Sequence, residues 1–179
     1  EISEPSLYSI EQELLNSNKA KIEIIPILGS ATNLNLIKKV FMDKKINIVF
    51  HSAAYKHVPL VESNPIEGIF NNVISTKVVC QAAKYAFLKK VILISTDKAV
   101  RPTNIMGVSK RLSELVVQSF AQEELLTNAS SNSRTIFAMV RFGNVLGSSG
   151  SVVPLFQKQI KQGGPITITH PEIIRYFMT

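Results

Sequence analysis

The chain has 179 residues, enough for one domain with a sizeable core, and 45% of them are hydrophobic, which excludes a disordered chain. Its apolar runs are of strand length, short of the roughly 20 residues that a membrane-spanning helix needs, and it does not open with the basic and apolar segments of a secretory signal. The net charge is +7, but the lysines are scattered and no aromatic residues are interleaved with them. This argues against nucleic-acid binding and suits an anionic small substrate or a nearby anionic membrane surface.

Helical and strand-like patterns alternate along the chain. The predicted helices are 6–18, 34–43, 72–87, 106–126 and 152–161, and the predicted strands are 22–28, 46–50, 91–95, 135–142 and 166–169. Residues 127–133 are a polar loop, and Gly163-Gly164-Pro165 is expected to end the last helix. Strands that alternate with helices predict right-handed βαβ units and a doubly wound parallel sheet, an α/β fold of the Rossmann-like type.

Apolar positions predict which faces of these elements are buried. The first helix carries Leu7, Ile10, Leu14 and Leu15 on one face, and helix 72–87 offers Val73, Val78, Val79 and Ala82 to a core. The near-continuous apolar run 46–50 predicts a strand buried on both faces. Cys80 lies in an apolar helical pattern, and a single cysteine excludes an internal disulfide, so we expect a reducing, cytoplasmic compartment.

A glycine-rich phosphate loop is absent from the sequence. A dinucleotide-binding sheet normally begins with a strand, a Gly-x-Gly-x-x-Gly turn and a helix that binds the pyrophosphate. The first predicted strand is followed instead by Gly29-Ser-Ala-Thr32, and the chain ends directly after an aromatic segment, 175–178. We therefore expect a fragment that lacks the first βα unit and a C-terminal part.

Reactive side chains follow the strand 91–95, where parallel sheets bind ligands. Asp97 and Lys98 are adjacent and would face opposite ways on an extended backbone, but both could reach one pocket if the chain turns there. The alternative is a surface ion pair. Lys110 follows twelve residues after Lys98, near the start of a predicted helix.

The end of strand 46–50 offers a second set of candidates. Ala53 and Ala54 are small enough for a flat cofactor to approach the backbone, and Lys56 and His57 project from the loop that follows. His57 alone could be a ligand or a loop histidine with an ordinary hydrogen-bond partner. No metal site is predicted, because the histidines have no cysteine partners at metal-binding spacing.

Four motifs, in this order, carry a resemblance to a known family: His51-Ser-Ala-Ala-Tyr-Lys-His-Val-Pro59, Ser95-Thr-Asp-Lys-Ala-Val-Arg-Pro102, Arg141-Phe-Gly-Asn-Val-Leu-Gly147 and Arg175-Tyr-Phe-Met-Thr179. They resemble the extended short-chain dehydrogenase/reductases that act as UDP-N-acetylglucosamine 4,6-dehydratases, the CapD-like polysaccharide biosynthesis proteins of bacteria. The resemblance runs from about Ile2 to the last residue. It implies a partial NAD(P)-binding domain over 1–179, with the start of the sugar-nucleotide-binding part from about 144.

The resemblance implies roles for individual residues. Asp97 and Lys98 match the acid/base pair that acts at C5 and C6 of the hexose, Thr96 the contact to the C4 hydroxyl, and Lys110 the residue that holds the nicotinamide ribose. Residues that match cofactor contacts are Glu1, Ala53, Ala54, Tyr55, Asn72, Ser95 and Lys110, and residues that match substrate contacts are Lys56, His57, Asn144, Ser151 and Arg175. The cofactor implied is NAD or NADP, tightly bound and recycled within the reaction.

Met106 departs from the pattern of many relatives, which have the catalytic Tyr at this position, four residues before Lys110. A thioether cannot move a proton. The sequence resembles the subset of large, membrane-anchored dehydratases that also carry Met here, so the acceptor for the C4 hydroxyl proton must come from elsewhere, such as Lys98, Asp97 or a water. Membrane anchoring through a missing N-terminal region is therefore an expectation, as is a location at the cytoplasmic face of the inner membrane.

The predicted activity is that of a hydro-lyase, which converts UDP-N-acetylglucosamine to a UDP-4-keto-6-deoxy-hexosamine for a bacterial surface polysaccharide such as a capsule or O-antigen. One alternative is a UDP-sugar 4-epimerase, which needs no acid/base pair at C5 and C6. The other is a non-catalytic nucleotide-binding module, which Met106 and the missing phosphate loop suggest. We expect a homo-oligomer, paired through helices 72–87 and 106–126.

Overall fold

The computed structural model describes residues 1–19, 21–127, 134–147, 152–168, 172, 174 and 176–178. It divides into two compact units, residues 1–140 and residues 141–179, which are described separately. The predicted start of a second part at about 144 stays a prediction.

The first unit is built around a three-stranded sheet with strand order β1-β2-β3. Its strands are β1 (Ile48–His51), β2 (Lys90–Thr96) and β3 (Ile136–Phe142, whose last residues pass into the second unit), and its α-helices are α1 (Glu4–Ser17), α2 (Leu34–Asp43), α3 (Val58–Ser63), α4 (Pro65–Ile69), α5 (Ser75–Tyr85) and α6 (Ile105–Thr127). β1 and β2 are parallel, with Ile48 opposite Lys90 and His51 opposite Leu93. The predicted α/β fold with a parallel sheet is confirmed.

The core lies between the sheet and helices α2, α5 and α6. β2 alternates strictly, so that Val91, Leu93 and Ser95 are buried while the residues between them are half-buried. The buried hydrophobic cluster contains Phe41, Val79, Cys80, Ala82, Ala83, Leu88, Val91, Leu93, Val117 and Phe137. The predicted core positions Val78, Val79 and Ala82 are buried and Val73 is half-buried, and the Cys80 thiol, which lies in the same apolar pattern, is buried as well.

Two apolar faces are more exposed than the sequence predicts. In β1, Phe50 is 68% exposed and Ile48 is 50% exposed, so the prediction that both faces of this strand are buried was wrong. Only the face that carries Val49 packs against the core cluster. Helix α1 forms as predicted but has no buried residue, because it does not pack on that cluster; its apolar side chains Ile10, Leu14 and Leu15 are exposed.

The predicted strand 22–28 is not formed. A strand needs a neighbouring backbone along its length. Among the described residues, the backbone that this segment meets is that of Glu1, whose amino group donates to Ile27 O and whose carbonyl accepts from the N–H of Gly29, just past the segment. One residue of pairing does not make a ladder.

The predicted helix 72–87 is found largely as α5, but its first residues belong to a π-helix, Phe70–Ile74, which continues into α5. Two short helices, α3 and α4, precede it and were not predicted. Each has a proline in its first turn, Pro59 and Pro65, and proline is favoured there because its missing N–H has no helical partner to lose. The prolines were the available signal for both helices.

The second unit contains β4 (Asn144–Val145), α7 (Val152–Lys161) and β5 (Phe177–Met178), and β4 pairs in parallel with β5. Helix α7 ends as predicted, because Gly163 and Gly164 both take positive φ and the Gly164 N–H donates to Gln159 O at 2.8 Å. Residues 166–168 of the predicted strand 166–169 are not a strand, since the Thr167 N–H donates to the Gln159 side chain instead. Residues 128–133 of the predicted loop and residue 169 lie outside the described residues.

Candidate active site

The chain turns sharply at the carboxyl end of β2. Thr96 is the last residue of the strand and Asp97–Ala99 form a single turn of 3-10 helix. The Thr96 hydroxyl accepts from the Lys98 N–H and donates to Asp97 Oδ1 at 2.9 Å. The Lys98 Nζ donates to the same carboxylate oxygen at 3.0 Å. The turn therefore brings the hydroxyl, the carboxylate and the ammonium together, which an extended backbone would not.

The Asp97 carboxyl is ionised at neutral pH. Partial burial acts to raise its pKa, but the hydrogen bonds from Lys98 and Thr96 and the charge of Lys98 outweigh this, so the pKa of Asp97 is lowered. Both side chains are partly open to solvent, with 46% of Asp97 and 30% of Lys98 exposed. The pair offers one proton acceptor and one proton donor within reach of a ligand at this edge of the sheet.

Helix α6 lies directly on this turn because of Gly107. A Cβ at position 107 would stand 2.4 Å from the Lys98 carbonyl oxygen and 3.1 Å from Pro102 Cβ. Only glycine allows the first turn of α6 to approach the 3-10 turn so closely. The Asn104 side chain caps the first turn of α6, because its Oδ1 accepts from the Gly107 N–H at 2.8 Å. In the same turn, the Ile105 N–H donates to Glu62 Oε1 at 2.5 Å.

Met106 and Lys110 lie one helical turn apart near the start of α6 and are both buried, with 4% and 7% of their surfaces exposed. The Lys110 Nζ donates to the Ile94 carbonyl of β2 at 2.6 Å, and its other two N–H groups are not used by that bond. Burial lowers the pKa of Lys110 to about 8, although the Glu114 charge acts to raise it. The sheet end therefore holds an ammonium that is easier to deprotonate than an ordinary lysine.

Ser95 is buried and its hydroxyl donates to Glu114 Oε1 at 2.7 Å. Its proton is thus committed to α6, and only its oxygen lone pairs remain for a ligand. Neither Glu114 nor Gly107 was singled out in the sequence. The signal for Glu114 was its position four residues after Lys110, which places both on one face of the helix.

Asn72 fixes the loop that follows β1. Its Oδ1 accepts from the Tyr55 N–H at 2.7 Å and its Nδ2 donates to the Tyr55 carbonyl at 3.0 Å and to Ser109 Oγ at 2.9 Å. Asn72 lies inside the π-helix and is buried, so it does not cap a helix. Its amide pairs with Tyr55 as a neighbouring strand would.

Four of the predicted ligand-binding residues, Ala54, Tyr55, Lys56 and His57, line a mainly apolar cavity of about 490 Å³ next to α3 and α4. Ala53, just before them, is exposed. The cavity is not lined by the turn after β2 or by α6. The backbone at the end of β1 is thus accessible, as a flat cofactor would require.

His51, at the end of β1, is a buried structural residue. Its Nε2 lies 3.2 Å from Thr76 Oγ1 and 3.4 Å from Ser75 Oγ. Burial, with a smaller effect of the Lys110 charge, lowers the pKa of His51 to about 4, so the imidazole is neutral at physiological pH. Among the described residues there is no group of His, Cys, Asp and Glu side chains that could hold a metal ion.

The structure places the remaining predicted site residues elsewhere or leaves them undescribed. Glu1 Oε1 accepts from the Ile2 and Ser3 N–H groups, both at 3.0 Å, at the start of the first unit. Asn144 belongs to the second unit, where its side chain donates to the Tyr176 carbonyl at 3.0 Å. Ser151 and Arg175 lie outside the described residues.

Comparisons with known proteins identify the family to which the chain belongs. The polysaccharide biosynthesis protein family matches residues 1–179. The chain is 50% identical over 176 residues to the capsular polysaccharide biosynthesis protein CapD of Staphylococcus aureus, covering 98% of this chain and 28% of CapD. It is 41% identical over 165 residues to UDP-glucose 4-epimerase of Rickettsia bellii, covering 92% of this chain and 45% of that protein. The solved structure of Pen from Bacillus thuringiensis superimposes with a TM-score of 0.85 at 35% identity, covering 98% of this chain and 51% of Pen.

The fold is therefore a Rossmann-like fold of the short-chain dehydrogenase/reductase type. The chain belongs to the polysaccharide biosynthesis protein family and spans about half of the solved relative's length and less of the curated ones. Within the described ranges, no helix is both long enough and apolar enough to cross a membrane.

Proposed function

We propose that the chain is part of a sugar-nucleotide 4,6-dehydratase, a hydro-lyase that acts on UDP-N-acetylglucosamine in the synthesis of a bacterial surface polysaccharide such as a capsule or O-antigen. The observation that carries this proposal is the Thr96–Asp97–Lys98 turn, in which a carboxylate and an ammonium meet at the ligand-binding edge of the sheet. Removal of water across C5 and C6 needs both a proton acceptor and a proton donor at one place.

The residues at the sheet edge fit a nicotinamide cofactor, NAD or NADP. Ala53 and Ala54 have no side chain that would block a flat ring, and the Lys110 ammonium has donors left for ribose hydroxyls. Glu1, Ala53, Ala54, Tyr55, Asn72, Ser95 and Lys110 would hold or frame it. When bound, the cofactor would supply a hydride acceptor for C4 of the sugar and a hydride donor for C6, so that it would not be consumed.

The chain's own residues then divide the proton transfers. The C4 ketone acidifies the C5 proton, which one member of the Asp97–Lys98 pair accepts while the other protonates the C6 hydroxyl as water leaves. Thr96 contacts the C4 hydroxyl through its oxygen, because its own proton is donated to Asp97. Met106 carries no exchangeable proton, so the C4 hydroxyl proton passes to the pair or to a water.

The substrate contacts proposed are Lys56 and His57 at the cavity and Asn144, Ser151 and Arg175 in the second unit. A chain of net charge +7 suits a UDP-sugar, whose diphosphate is anionic. We also propose a homo-oligomer, and a location in the cytoplasm or at the cytoplasmic face of the inner membrane.

The second candidate is a UDP-sugar 4-epimerase. The similarity to the Rickettsia bellii epimerase favours it, and an epimerase would use the same cofactor and the same nucleotide. It has no need for an acid/base pair at C5 and C6, so the Asp97–Lys98 ion pair favours the dehydratase. The third candidate is a non-catalytic nucleotide-binding module, which Met106 suggests. Such a module would need neither the cofactor's hydride chemistry nor the acid/base pair.

One assay separates the three. The full-length protein is incubated with UDP-N-acetylglucosamine, the nucleotide sugars are separated by chromatography, and their masses are measured by mass spectrometry. A dehydratase gives a product lighter by one water, an epimerase gives a new compound of unchanged mass, and a binding module returns the substrate. Either of the last two outcomes contradicts the proposal.

A further inference from the structure

Helix α6 is attached to the end of β2 at two consecutive residues of the strand. The Lys110 Nζ donates to the Ile94 carbonyl at 2.6 Å, and the next residue, Ser95, donates its hydroxyl to Glu114 Oε1 at 2.7 Å. Lys110 and Glu114 are four residues apart and so share one face of the helix. Together they fix α6 on the strand just before Thr96.

Glu114 is unusual because a carboxylate is placed in the interior. Only 1% of its surface is exposed, and a buried carboxylate is costly unless it is paired and hydrogen-bonded. Its second oxygen accepts from Arg111 Nη1 at 2.9 Å, but the Arg111 side chain is 43% exposed. A neutral glutamine could also accept a hydrogen bond from Ser95. The negative charge of Glu114 therefore needs a separate explanation.

Lys110, one helical turn before Glu114, is the buried cation that a buried carboxylate would stabilise. Burial favours the neutral amine, and Glu114 opposes this effect. The titratable groups that interact electrostatically with Lys110 are Glu114 on its own helix and His51 at the end of β1. Other charged groups nearby on α6 and on the elements that pack against it are Arg111, which pairs with Glu114, Glu62 on α3, and Asp97 and Lys98 in the turn after β2. The buried polar side chains of the π-helix and α5, Asn72, Ser75 and Thr76, are neutral.

We propose that Glu114 is a positioning residue for Lys110: its carboxylate, bound to Ser95, fixes α6 on the strand and places a buried negative charge one helical turn from the Lys110 ammonium at the ligand-binding edge of the sheet. The consequence for the cofactor rests on the proposed function, in which Lys110 holds the nicotinamide ribose. The effect of Glu114 on the charge of Lys110 does not depend on that function.

The test measures the protonation of Lys110 directly. The full-length protein and its Glu114→Gln variant are pulse-labelled with acetic anhydride from neutral to alkaline pH, and acetylation of the Lys110 peptide is quantified by mass spectrometry. Only the neutral amine reacts. Loss of a nearby opposite charge should lower the midpoint by about one unit. Starting from a pKa of about 8, this raises labelling at neutral pH about fivefold.

Glu123→Gln is the matched control. It makes the same change on the same helix, but in a half-exposed ion pair with Lys84 near the other end of α6. The Lys110 midpoint should not move in this variant, and a shift equal to that of Glu114→Gln would overturn the proposal. A folded Glu114→Gln variant with an unchanged midpoint would overturn it too.

Glu114→Asp keeps the proposal testable should Glu114→Gln fail to fold. It retains the charge but is one methylene shorter, so the midpoint should stay near that of the wild type while NAD binding weakens. A midpoint that falls by the full unit would show that the charge is not what matters, and would overturn the proposal. Because labelling needs no sugar, a shifted midpoint in a protein without dehydratase activity would refute the proposed function and leave the effect on Lys110 supported.

Discussion

Gly107→Ala is the substitution that most sharply tests how the site is assembled. The new Cβ would stand 2.4 Å from the Lys98 carbonyl oxygen, whereas Cβ contacts below 3.0 Å are essentially never found. The helix or the turn must therefore move by at least 0.6 Å, the difference between these two distances. The obstacle is a backbone atom, so it cannot be relieved by a side-chain rotation.

The expected energetic result has a definite sign. Overpacking costs about 1–3 kcal/mol, while alanine is favoured over glycine in a helix by at most about 1 kcal/mol. We therefore expect a net loss of up to about 2 kcal/mol in the free energy of unfolding. Since a displacement of about 1 Å can cost about a hundredfold in rate, dehydration should slow by about tenfold or more.

Denaturant unfolding and the rate of product formation measure both effects in the full-length protein. Gly143→Ala is the stability control, because its Cβ would meet nothing closer than the Tyr176 carbonyl at 3.5 Å, an ordinary contact, and should stay within about 0.5 kcal/mol of the wild type. A Gly107→Ala variant that is as stable as the wild type and equally active would refute the close contact between α6 and the turn.

Three further predictions concern single groups of the site. Lys98→Ala and Asp97→Asn should each reduce dehydration by about 10²–10⁴-fold with little change in nucleotide affinity measured by calorimetry, and undiminished turnover in both would move the acid/base role elsewhere. Met106→Tyr should speed C4 oxidation in single-turnover absorbance measurements, because the Lys110 charge one turn away lowers the pKa of a phenol; complete inactivity with an intact fold would show that position 106 does not correspond to the catalytic tyrosine. Acidification should destabilise the protein, because the pKa of His51 is lowered to about 4 and the unfolded chain takes up this proton first as the pH falls below about 6.5. Between neutral pH and about pH 4, the loss in the free energy of unfolding should be smaller in His51→Gln than in the wild type, by on the order of 3 kcal/mol. Equal losses in the two proteins would show that His51 does not cause the acid destabilisation.

The elements that the sequence predicted well are those whose pattern is local. Strand β2 is a continuous apolar run and helix α6 extends over 23 residues, and the polar residues after β2 marked the end of the strand at Asp97 and Lys98. Such patterns reflect which face of an element is buried, and therefore survive in the sequence.

The predictions that failed depend on neighbours distant in the chain. The segment 22–28 has the composition of a strand but only Glu1 as a backbone partner, and Phe50 is apolar but packs on no described core residue. Gly107 and Glu114 were missed for the same reason. Their importance lies in the Lys98 carbonyl and the Ser95 hydroxyl that they meet across the fold, and no local pattern reports these contacts.

The central claim is that the turn after β2 performs proton chemistry at C5 of the sugar. The most direct measurement follows UDP-N-acetylglucosamine by NMR in deuterated water with the full-length protein and with its Asp97→Asn and Lys98→Ala variants. We expect a 4-keto-6-deoxy product that carries solvent deuterium at C5, formed by the wild type and absent with both variants. A product that keeps its C6 hydroxyl and has no deuterium at C5 would contradict it.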